Sequence, residues 1–194
     1  MKFQSFVPCV VVLLALGACK SSGGSNAPKM TPEEVMAKTM ELGIPGSPHQ
    51  ELTAQAGRWT KSMKWRMSPD APWEEMTGGT CDSQVLLGGR YLLEHTNASF
   101  GGMPFEGYNL LGYDNMRGEY TSVWMDSMST WWITSSGKKD KDGSINFKGT
   151  MRDAAGGRPF RMVVKTQSDG SVVNNMFDTI DDKEVHVMTI TAKR

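Results

Sequence analysis

The sequence lacks an excess of either charge and lacks the catalytic motifs that spacing alone can reveal. Its 21 basic and 21 acidic residues balance, and no basic run interrupts them, which argues against nucleic acid as a partner. It contains no Gly-x-Ser-x-Gly elbow, no phosphate-binding glycine loop and no dinucleotide fingerprint. Because an active site can assemble from distant segments, these missing motifs leave enzymatic activity undecided.

Long hydrophobic runs are also missing. The apolar run 10–16 is too short to span a membrane, which takes roughly 20 residues. The run follows Lys2 and ends in small residues, which is the pattern of an export signal. The quartet at 16–19, Leu-Gly-Ala-Cys, resembles the lipobox of bacterial lipoproteins, in which cleavage before the cysteine exposes it for lipidation. The resemblance implies a signal peptide over residues 1–18 and lipidation of Cys19.

Lipidation would set the location of the protein. Several acyl chains on Cys19 anchor a chain stably, whereas one chain binds a membrane only marginally. An aspartate directly after the lipidated cysteine would resemble an inner-membrane retention signal, but this position is Lys20. We therefore expect an outer-membrane anchor with the domain facing the periplasm. Residues 19–30, rich in Gly, Ser and Asn, predict a flexible tether. The alternative is an ordinary cleaved signal with an incidental cysteine.

Cysteine is scarce, with three in 194 residues. Cys9 leaves with the predicted signal peptide and Cys19 is used for lipidation, so Cys81 remains alone. No intramolecular disulfide is then available, even in an oxidising compartment. We interpret Cys81 as a packing residue, because no neighbouring histidine or cationic cluster activates its thiol. About 150 residues of globular chain remain, enough for one domain with its own core.

The globular part begins with a predicted helical segment over residues 31–56. The sequence at 31–34, Thr-Pro-Glu-Glu, is typical of a helix capping box, and Gly43 with Pro45 ends that helix. A second short helical turn is predicted at 48–56. No segment after Trp59 has a helical pattern.

Ten extended segments follow, each bounded by turn residues. They are predicted near 58–67, 75–87, 90–99, 105–113, 118–126, 130–137, 144–152, 159–166, 171–179 and 184–192. Short links favour antiparallel pairing of successive strands, and a meander with one apolar face closes most readily into a barrel. The sequence therefore predicts an all-β fold: a single antiparallel up-and-down β-barrel of about ten strands over residues 57–194, with a short N-terminal helical lead.

Two resemblances accompany this prediction. The sequence at 57–59, Gly-Arg-Trp, resembles the Gly-x-Trp that opens the first strand of calycin, or lipocalin-like, barrels. In that superfamily a basic residue after the last strand packs over the tryptophan, which implies this role for Lys193 or Arg194. From about Pro45 to Ala192 the chain resembles the bacterial domain of unknown function 1579 family, through motifs at 45–52, 56–59, 87–92, 104–107, 111–115 and 124–130. That family has no established activity, so the resemblance implies a fold and no reaction.

An apolar pocket inside the barrel is the first candidate site. Fifteen methionines and six tryptophans are many for this length, and methionine suits surfaces that adapt to varied partners. A barrel of ten strands is wide enough to leave a cavity. The candidate ligand-binding residues are Trp65, Met67, Trp124, Met128, Phe147, Met162 and Met188, together with Asp126 for a polar group of the ligand. The alternatives are a solid apolar core and a turn-capping role for Asp126.

The three histidines do not cluster, and no metal-ligand spacing is present, so we predict no metal site and no catalytic residue. Haem-binding barrels of the nitrobindin type resemble the predicted architecture and use one histidine, which makes His186 a candidate haem ligand if it shares a strand face with Met188 and Ile190. We otherwise expect no cofactor. His49 is expected to bond the backbone at the barrel mouth.

Three functions remain open at this level. The first is a membrane-anchored lipoprotein whose barrel binds a small apolar or amphipathic ligand. The second is a cell-envelope scaffold with a packed barrel, for which Trp131 and Trp132 offer an exposed ring if they face opposite sides of a strand. The third is an enzyme whose polar groups converge inside the cavity.

Overall fold

The computed structural model describes residues 30–154 and 156–194. The predicted signal peptide, Cys19 and most of the predicted tether lie outside the described residues. Two helices, α1 (Pro32–Leu42) and α2 (Ser47–Thr53), precede the strands. The strands are β1 (Gly57–Trp65), β2 (Glu74–Leu86), β3 (Tyr91–Phe100), β4 (Met103–Asp114), β5 (Glu119–Asp126), β6 (Ile133–Lys139), β7 (Ile145–Asp153), β8 (Gly156–Thr166), β9 (Val172–Ile180) and β10 (Lys183–Lys193).

The ten strands form a closed antiparallel barrel in up-and-down order. Each strand pairs with its neighbours in sequence, and β1 closes the barrel by pairing with β10, from Thr60 opposite Lys193 to Trp65 opposite Met188. Closure leaves no unpaired strand edge, which protects a sheet from pairing with other chains. The predicted fold class and strand number are confirmed.

Helix α1 begins with the predicted capping box. The backbone N–H of Glu34 donates to the hydroxyl of Thr31 over 3.2 Å, and the backbone N–H of Thr31 donates to the Glu34 carboxylate over 2.7 Å. None of its residues is buried, so local capping rather than packing supports this helix. The side-chain amide of Asn115 holds its end by donating to the carbonyls of Leu42 and Ile44.

Helix α2 covers one end of the barrel. Its Leu52 is 3% exposed and packs in one buried cluster with Leu92, Tyr120 and Phe147. We call this the helix end; the turns 87–90, 115–118, 140–144 and 167–171 surround it. The opposite end, which we call the far end, carries the connections 66–73, 101–102, 127–132 and 181–182. Described residues include no helix long and apolar enough to cross a membrane.

Aromatic rings cover glycines on the sheet. A Cβ atom at Gly107 would lie 2.6 Å from the ring of Trp124, and one at Gly149 would lie 2.6 Å from the ring of Phe160. Only a residue without a side chain lets these rings lie flat against the neighbouring strand. Cys81 is completely buried and packs with Trp59 and Ala192, as expected of a packing residue.

One prediction about the far end is wrong. Trp131 and Trp132 were expected on a strand, facing opposite sides, but β6 begins only at Ile133 and both residues lie in the β5–β6 loop. Both rings are exposed, by 46% and 67%. The turn at 127–130 continues past the predicted strand start because Asp126 and Ser129 hold it through hydrogen bonds, among them Ser129 Oγ to the Trp131 carbonyl over 3.1 Å.

Candidate functional site in the barrel interior

A row of inward-facing side chains crosses half of the barrel wall. In the strand register, Trp65 lies opposite Met188, Met188 opposite Met176, Met176 opposite Met162, and Met162 opposite Phe147. Directly paired residues point to the same face of a sheet. Because Phe147 is 2% exposed and belongs to the core cluster, the whole row faces the interior. The other four members are half-buried.

A second inward row is polar. Ser83 of β2, Glu94 of β3, Asn109 of β4 and Trp124 of β5 lie opposite one another in register. Ser83 is 5% exposed, which places this row inside the barrel as well. The interior therefore has a polar wall, centred on β3 to β5, and a methionine-rich wall on β8 to β10.

Hydrogen bonds connect the polar wall. Ser122 donates from Oγ to Asn109 Oδ1 over 2.7 Å, and Asn109 donates from Nδ2 to Glu94 Oε2 over 3.1 Å. The ammonium group of Lys61 donates to Thr96 Oγ1 over 3.1 Å and lies 3.9 Å from Glu94 Oε2. The side chains of Lys61 and Glu94 are 15% and 18% exposed.

The methionine-rich wall also carries the polar residue Asn174, which lies opposite Val164 and Ile190. Its Nδ2 lies 3.0 Å from the sulfur of Met162. Its Oδ1 is buried and has no hydrogen-bond partner within the part of the chain that the structure describes. A buried acceptor without a partner costs about 1–3 kcal/mol of folding free energy.

Sequence reasoning missed this polar wall, although β1 carried a signal for it. Lys61 lies two residues from both Trp59 and Met63, so period-2 alternation places it on the same, inward face as these apolar residues. A charged residue at an inward position is the informative exception, since lysine is rarely buried without a partner. Glu94, Asn109 and Ser122 gave no such signal, because their convergence depends on the strand register.

The eight predicted ligand-binding residues fall into four groups. Four of them, Trp65, Trp124, Met162 and Met188, face the interior and are half-buried. Phe147 also faces inward but is closed off by the packing around Leu52. Met67 and Met128 are 76% and 62% exposed and lie on connections at the far end, outside the interior. The last of the eight, Asp126, follows Trp124 on the inward face of β5.

Asp126 forms hydrogen bonds with neighbours in its own chain segment. Its carboxylate accepts hydrogen bonds from Trp124 Nε1 over 2.7 Å, from the backbone N–H of Met128 over 3.0 Å and from Ser129 Oγ over 3.4 Å. The first bond fixes the indole against the barrel wall, and the second caps the turn after β5. The turn-capping alternative is therefore present in the structure.

His186 does not share a face with Met188. A β-bulge shifts the register between these residues, so His186 lies opposite Phe177 and Met188 lies opposite Met176. Since Phe177 and Met176 are consecutive in β9, their side chains point to opposite faces, and His186 lies on the outer face. There it contacts the rings of Trp73 and Phe177. The expectation that placed this histidine inside the barrel is thus incorrect, because alternation in sequence does not reveal a bulge.

The other histidines are also accounted for locally. His49 is 5% exposed and its Nδ1 accepts from the backbone N–H of Gly46 over 3.0 Å, which confirms the expected backbone bond. His95 stacks on Tyr108 at 4.3 Å on the outer surface, with its Nε2 2.7 Å from Glu106 Oε1. Over the described ranges, no three His, Cys, Asp or Glu side chains are placed to hold a metal ion.

A cavity of about 710 Å³ lies at the helix end. It opens between α2 and the turns at 140–144 and 167–171, and none of the eight predicted ligand-binding residues lines it. Two of its carboxylates already form ion pairs: Glu51 Oε2 lies 2.7 Å from Lys139 Nζ, and Asp142 Oδ2 lies 2.8 Å from Lys165 Nζ. We therefore interpret it as a hydrated crevice left by the short α2.

Electrostatics at this crevice follow from those pairs. Lys139 and the Tyr120 hydroxyl, which donates to Glu51 Oε2 over 2.9 Å, hold the pKa of Glu51 below its ordinary value, against a smaller opposing effect of burial. Burial together with the Glu51 carboxylate raises the pKa of Tyr120. The Lys165 ammonium and the hydroxyl and backbone N–H of Ser144 lower the pKa of Asp142.

One family model matches most of the chain. The sequence profile of the family described as "Protein of unknown function (DUF1579)" matches residues 44–194, which include α2 and all ten strands. No curated protein matches the sequence significantly.

Proposed function

The chain belongs to the DUF1579 family, and we propose that its barrel binds a small amphipathic molecule in the interior. The observation that carries this proposal is the accessibility of Lys61 and Glu94. Both side chains point inward from the middle of their strands, yet 15% and 18% of their surfaces are exposed. In a closed barrel, that exposure is to interior space.

The character of the two walls supports an amphipathic ligand. In a closed barrel of ten strands, β3, β4 and β5 stand across from β8, β9 and β10. The hydrogen-bonded groups of Glu94, Asn109 and Ser122 therefore face the side chains of Met162 and Met188 across the interior. Ligand sites combine an apolar lining with a few fixed polar groups in this way.

Native mass spectrometry of the full chain carrying Cys19→Ser, purified without detergent, tests the proposal. We expect a bound mass that survives gentle ionisation and dissociates on activation. If the protein is purified without a ligand, adding decan-1-ol should produce such a complex. Met176→Trp fills the interior from the methionine-rich wall and should abolish binding. Val173→Trp is the matched control, because Val173 lies on the outer face of the same strand, opposite Lys165 and Thr191. A bare protein that takes up no alkyl probe contradicts the proposal.

We further propose that lipidation of Cys19 tethers this barrel to the periplasmic face of an outer membrane. The support is the signal-like run 10–16 followed by the lipobox-like quartet 16–19. Metabolic labelling with radioactive palmitate should label the wild-type chain and leave the Cys19→Ser variant unlabelled. Equal distribution of both forms between membrane and soluble fractions would contradict a lipid anchor.

One observation favours a second function, a scaffold for another envelope protein. Large apolar side chains are exposed around the far end: Met67, Trp73, Met103, Met128, Trp131 and Trp132. Exposed apolar patches mark interaction surfaces in soluble domains. Under this alternative, replacing Trp132 by serine removes a co-purifying partner but leaves binding of alkyl probes unchanged, whereas the ligand-binding proposal expects no partner to be lost.

A further inference from the structure

We propose that the Lys61–Glu94 pair makes the interior selective for amphipathic molecules with an uncharged hydroxyl head, against carboxylates and ammonium ions of the same chain length. This inference rests on the proposed function and specifies the ligand class of the same site.

The two charges are close but do not bond directly. Lys61 Nζ and Glu94 Oε2 are 3.9 Å apart, longer than a charge-assisted hydrogen bond of about 2.7–2.9 Å. The ammonium has three N–H donors and uses one of them on Thr96 Oγ1. Glu94 accepts from Asn109 Nδ2 through the same Oε2 atom. Two N–H donors of Lys61 and the Oε1 atom of Glu94 thus remain for a hydrogen bond to a group in the interior.

A hydroxyl group is complementary to this arrangement. Its oxygen can accept from the Lys61 ammonium while its hydrogen donates to the Glu94 carboxylate, because a hydroxyl is both donor and acceptor. A carboxylate head would accept from Lys61 but would face the negative charge of Glu94. An ammonium head would donate to Glu94 but would face the positive charge of Lys61.

Other charged groups on the inward face form hydrogen bonds or ion pairs of their own. Arg158 binds Asp178 through Nε at 2.8 Å, and Lys139 binds Glu51 at the helix end. Asp126 is held by three donors from residues 124–129 at the far end. Because Lys61 and Glu94 neutralise each other, a charged head would enter the low-dielectric interior without a free counter-charge, which is costly.

The apolar part of the ligand then has a defined direction. From the polar wall, a chain that crosses the interior reaches Met162, Met176 and Met188 on the opposite wall. Flexible thioether side chains can pack against alkyl chains of different shape. The expected ligand is therefore an alcohol with an alkyl chain, rather than a fatty acid or an amine.

Three probes of equal chain length test the selectivity: decan-1-ol, decanoate and decylammonium, titrated calorimetrically into the full chain carrying Cys19→Ser at pH 7. The wild-type interior should bind decan-1-ol at least tenfold more tightly than either ion. Glu94→Gln leaves Lys61 unneutralised and should shift the preference at least tenfold toward decanoate. Lys61→Met leaves Glu94 unneutralised and should shift it by a similar factor toward decylammonium.

Two controls separate selectivity from loss of fold. The double variant Lys61→Met with Glu94→Gln removes both charges and should again favour decan-1-ol. Lys64 and Glu75 form an ion pair at 2.7 Å on the outer face of β1 and β2, with side chains about 60% exposed. The variants Lys64→Met and Glu75→Gln change the same residue types outside the interior and should leave all three affinities unchanged.

The outcomes distinguish this inference from the proposed function. If no probe binds, the interior site itself is refuted. If the probes bind but the wild type prefers decanoate or decylammonium, the selectivity is refuted while ligand binding stands. Unchanged preferences in folded Glu94→Gln and Lys61→Met variants also refute it. Because the wild-type comparison needs no substitution, an unfolded variant does not remove the test.

Discussion

The guanidinium carbon of Arg194 lies 4.6 Å from the centre of the Trp59 ring. The same guanidinium donates to the carbonyls of Ala54 and Ala56 over 2.9 and 3.1 Å. Trp59 in turn donates from Nε1 to the carbonyl of Gln55 over 2.8 Å. This set of contacts joins the residue after β10 to the start of β1 and to the end of α2, so it fixes the helix end of the barrel where the sheet closes.

Replacing Arg194 by alanine should lower the free energy of unfolding by about 1–2 kcal/mol. The variant loses a cation–π contact, worth about 0.5–1 kcal/mol at an exposed site, and two hydrogen bonds from a charged donor. Urea denaturation followed by tryptophan fluorescence measures the change. Lys193→Ala is the control and should stay within about 0.5 kcal/mol of wild type. A larger loss for Lys193→Ala than for Arg194→Ala would contradict the assignment.

Leu52→Ala should be the most destabilising single truncation in α2. Leu52 is 3% exposed and packs against Leu92, Tyr120 and Phe147, so its removal leaves a cavity beneath the helix. Truncation of a buried leucine costs about 2–5 kcal/mol. Thermal denaturation would measure the loss, and Leu87→Ala, at a position that is 69% exposed, provides the comparison. Equal melting temperatures for the two variants would show that α2 does not support the barrel.

Much of this architecture could be predicted because each strand carries its own local signals. Period-2 alternation and glycine-rich turns gave ten strands, and the observed boundaries differ from the predicted ones by three residues or fewer. The Gly-x-Trp resemblance also predicted the basic residue over Trp59 and left Lys193 and Arg194 open. The structure selects Arg194, whose side chain reaches the ring.

The interior polar wall could not be predicted, because it depends on register across several strands. Lys61 and Glu94 are separated by 33 positions in the sequence, and only pairing of β1 with β2 and of β2 with β3 brings them together. The bulge between His186 and Met188 is a similar case. Its extra residue moves His186 to the opposite face of the sheet from the one that alternation with Met188 predicts. The local sequence pattern of each strand therefore predicts the barrel, but not which side chains meet in its interior.

Stability at the helix end should depend on pH through Glu51. Lys139 and Tyr120 hold the pKa of this carboxyl below its ordinary 4.5, so the folded state favours the ionised form. A lowered folded-state pKa contributes stability that is complete above the unfolded value and is lost as the pH falls through the folded value. Glu51→Gln should thus be less stable than wild type at pH 7, by about 0.5–1 kcal/mol for a partly exposed pair.

The difference between wild type and Glu51→Gln should shrink as the pH falls below 4.5. Urea midpoints measured from pH 7 to pH 3 follow this convergence. Glu41→Gln is the comparison, because Glu41 pairs with Lys38 on the surface of α1, away from the barrel. A stability difference for Glu51→Gln that stays constant over this range would mean that ionisation of Glu51 does not contribute.

Gly107→Ala should disturb the inward face of β4 and β5 without adding a polar or charged group. The new Cβ would lie 2.6 Å from the Trp124 ring, which the bond from its Nε1 to Asp126 keeps in place. Overpacking of this kind costs about 1–3 kcal/mol, and the displaced indole should change the near-ultraviolet circular dichroism. Gly157→Ala, whose Cβ would meet nothing closer than 3.4 Å, should leave both measurements close to wild type. An unchanged spectrum and stability for Gly107→Ala would show that Trp124 moves freely inside the barrel.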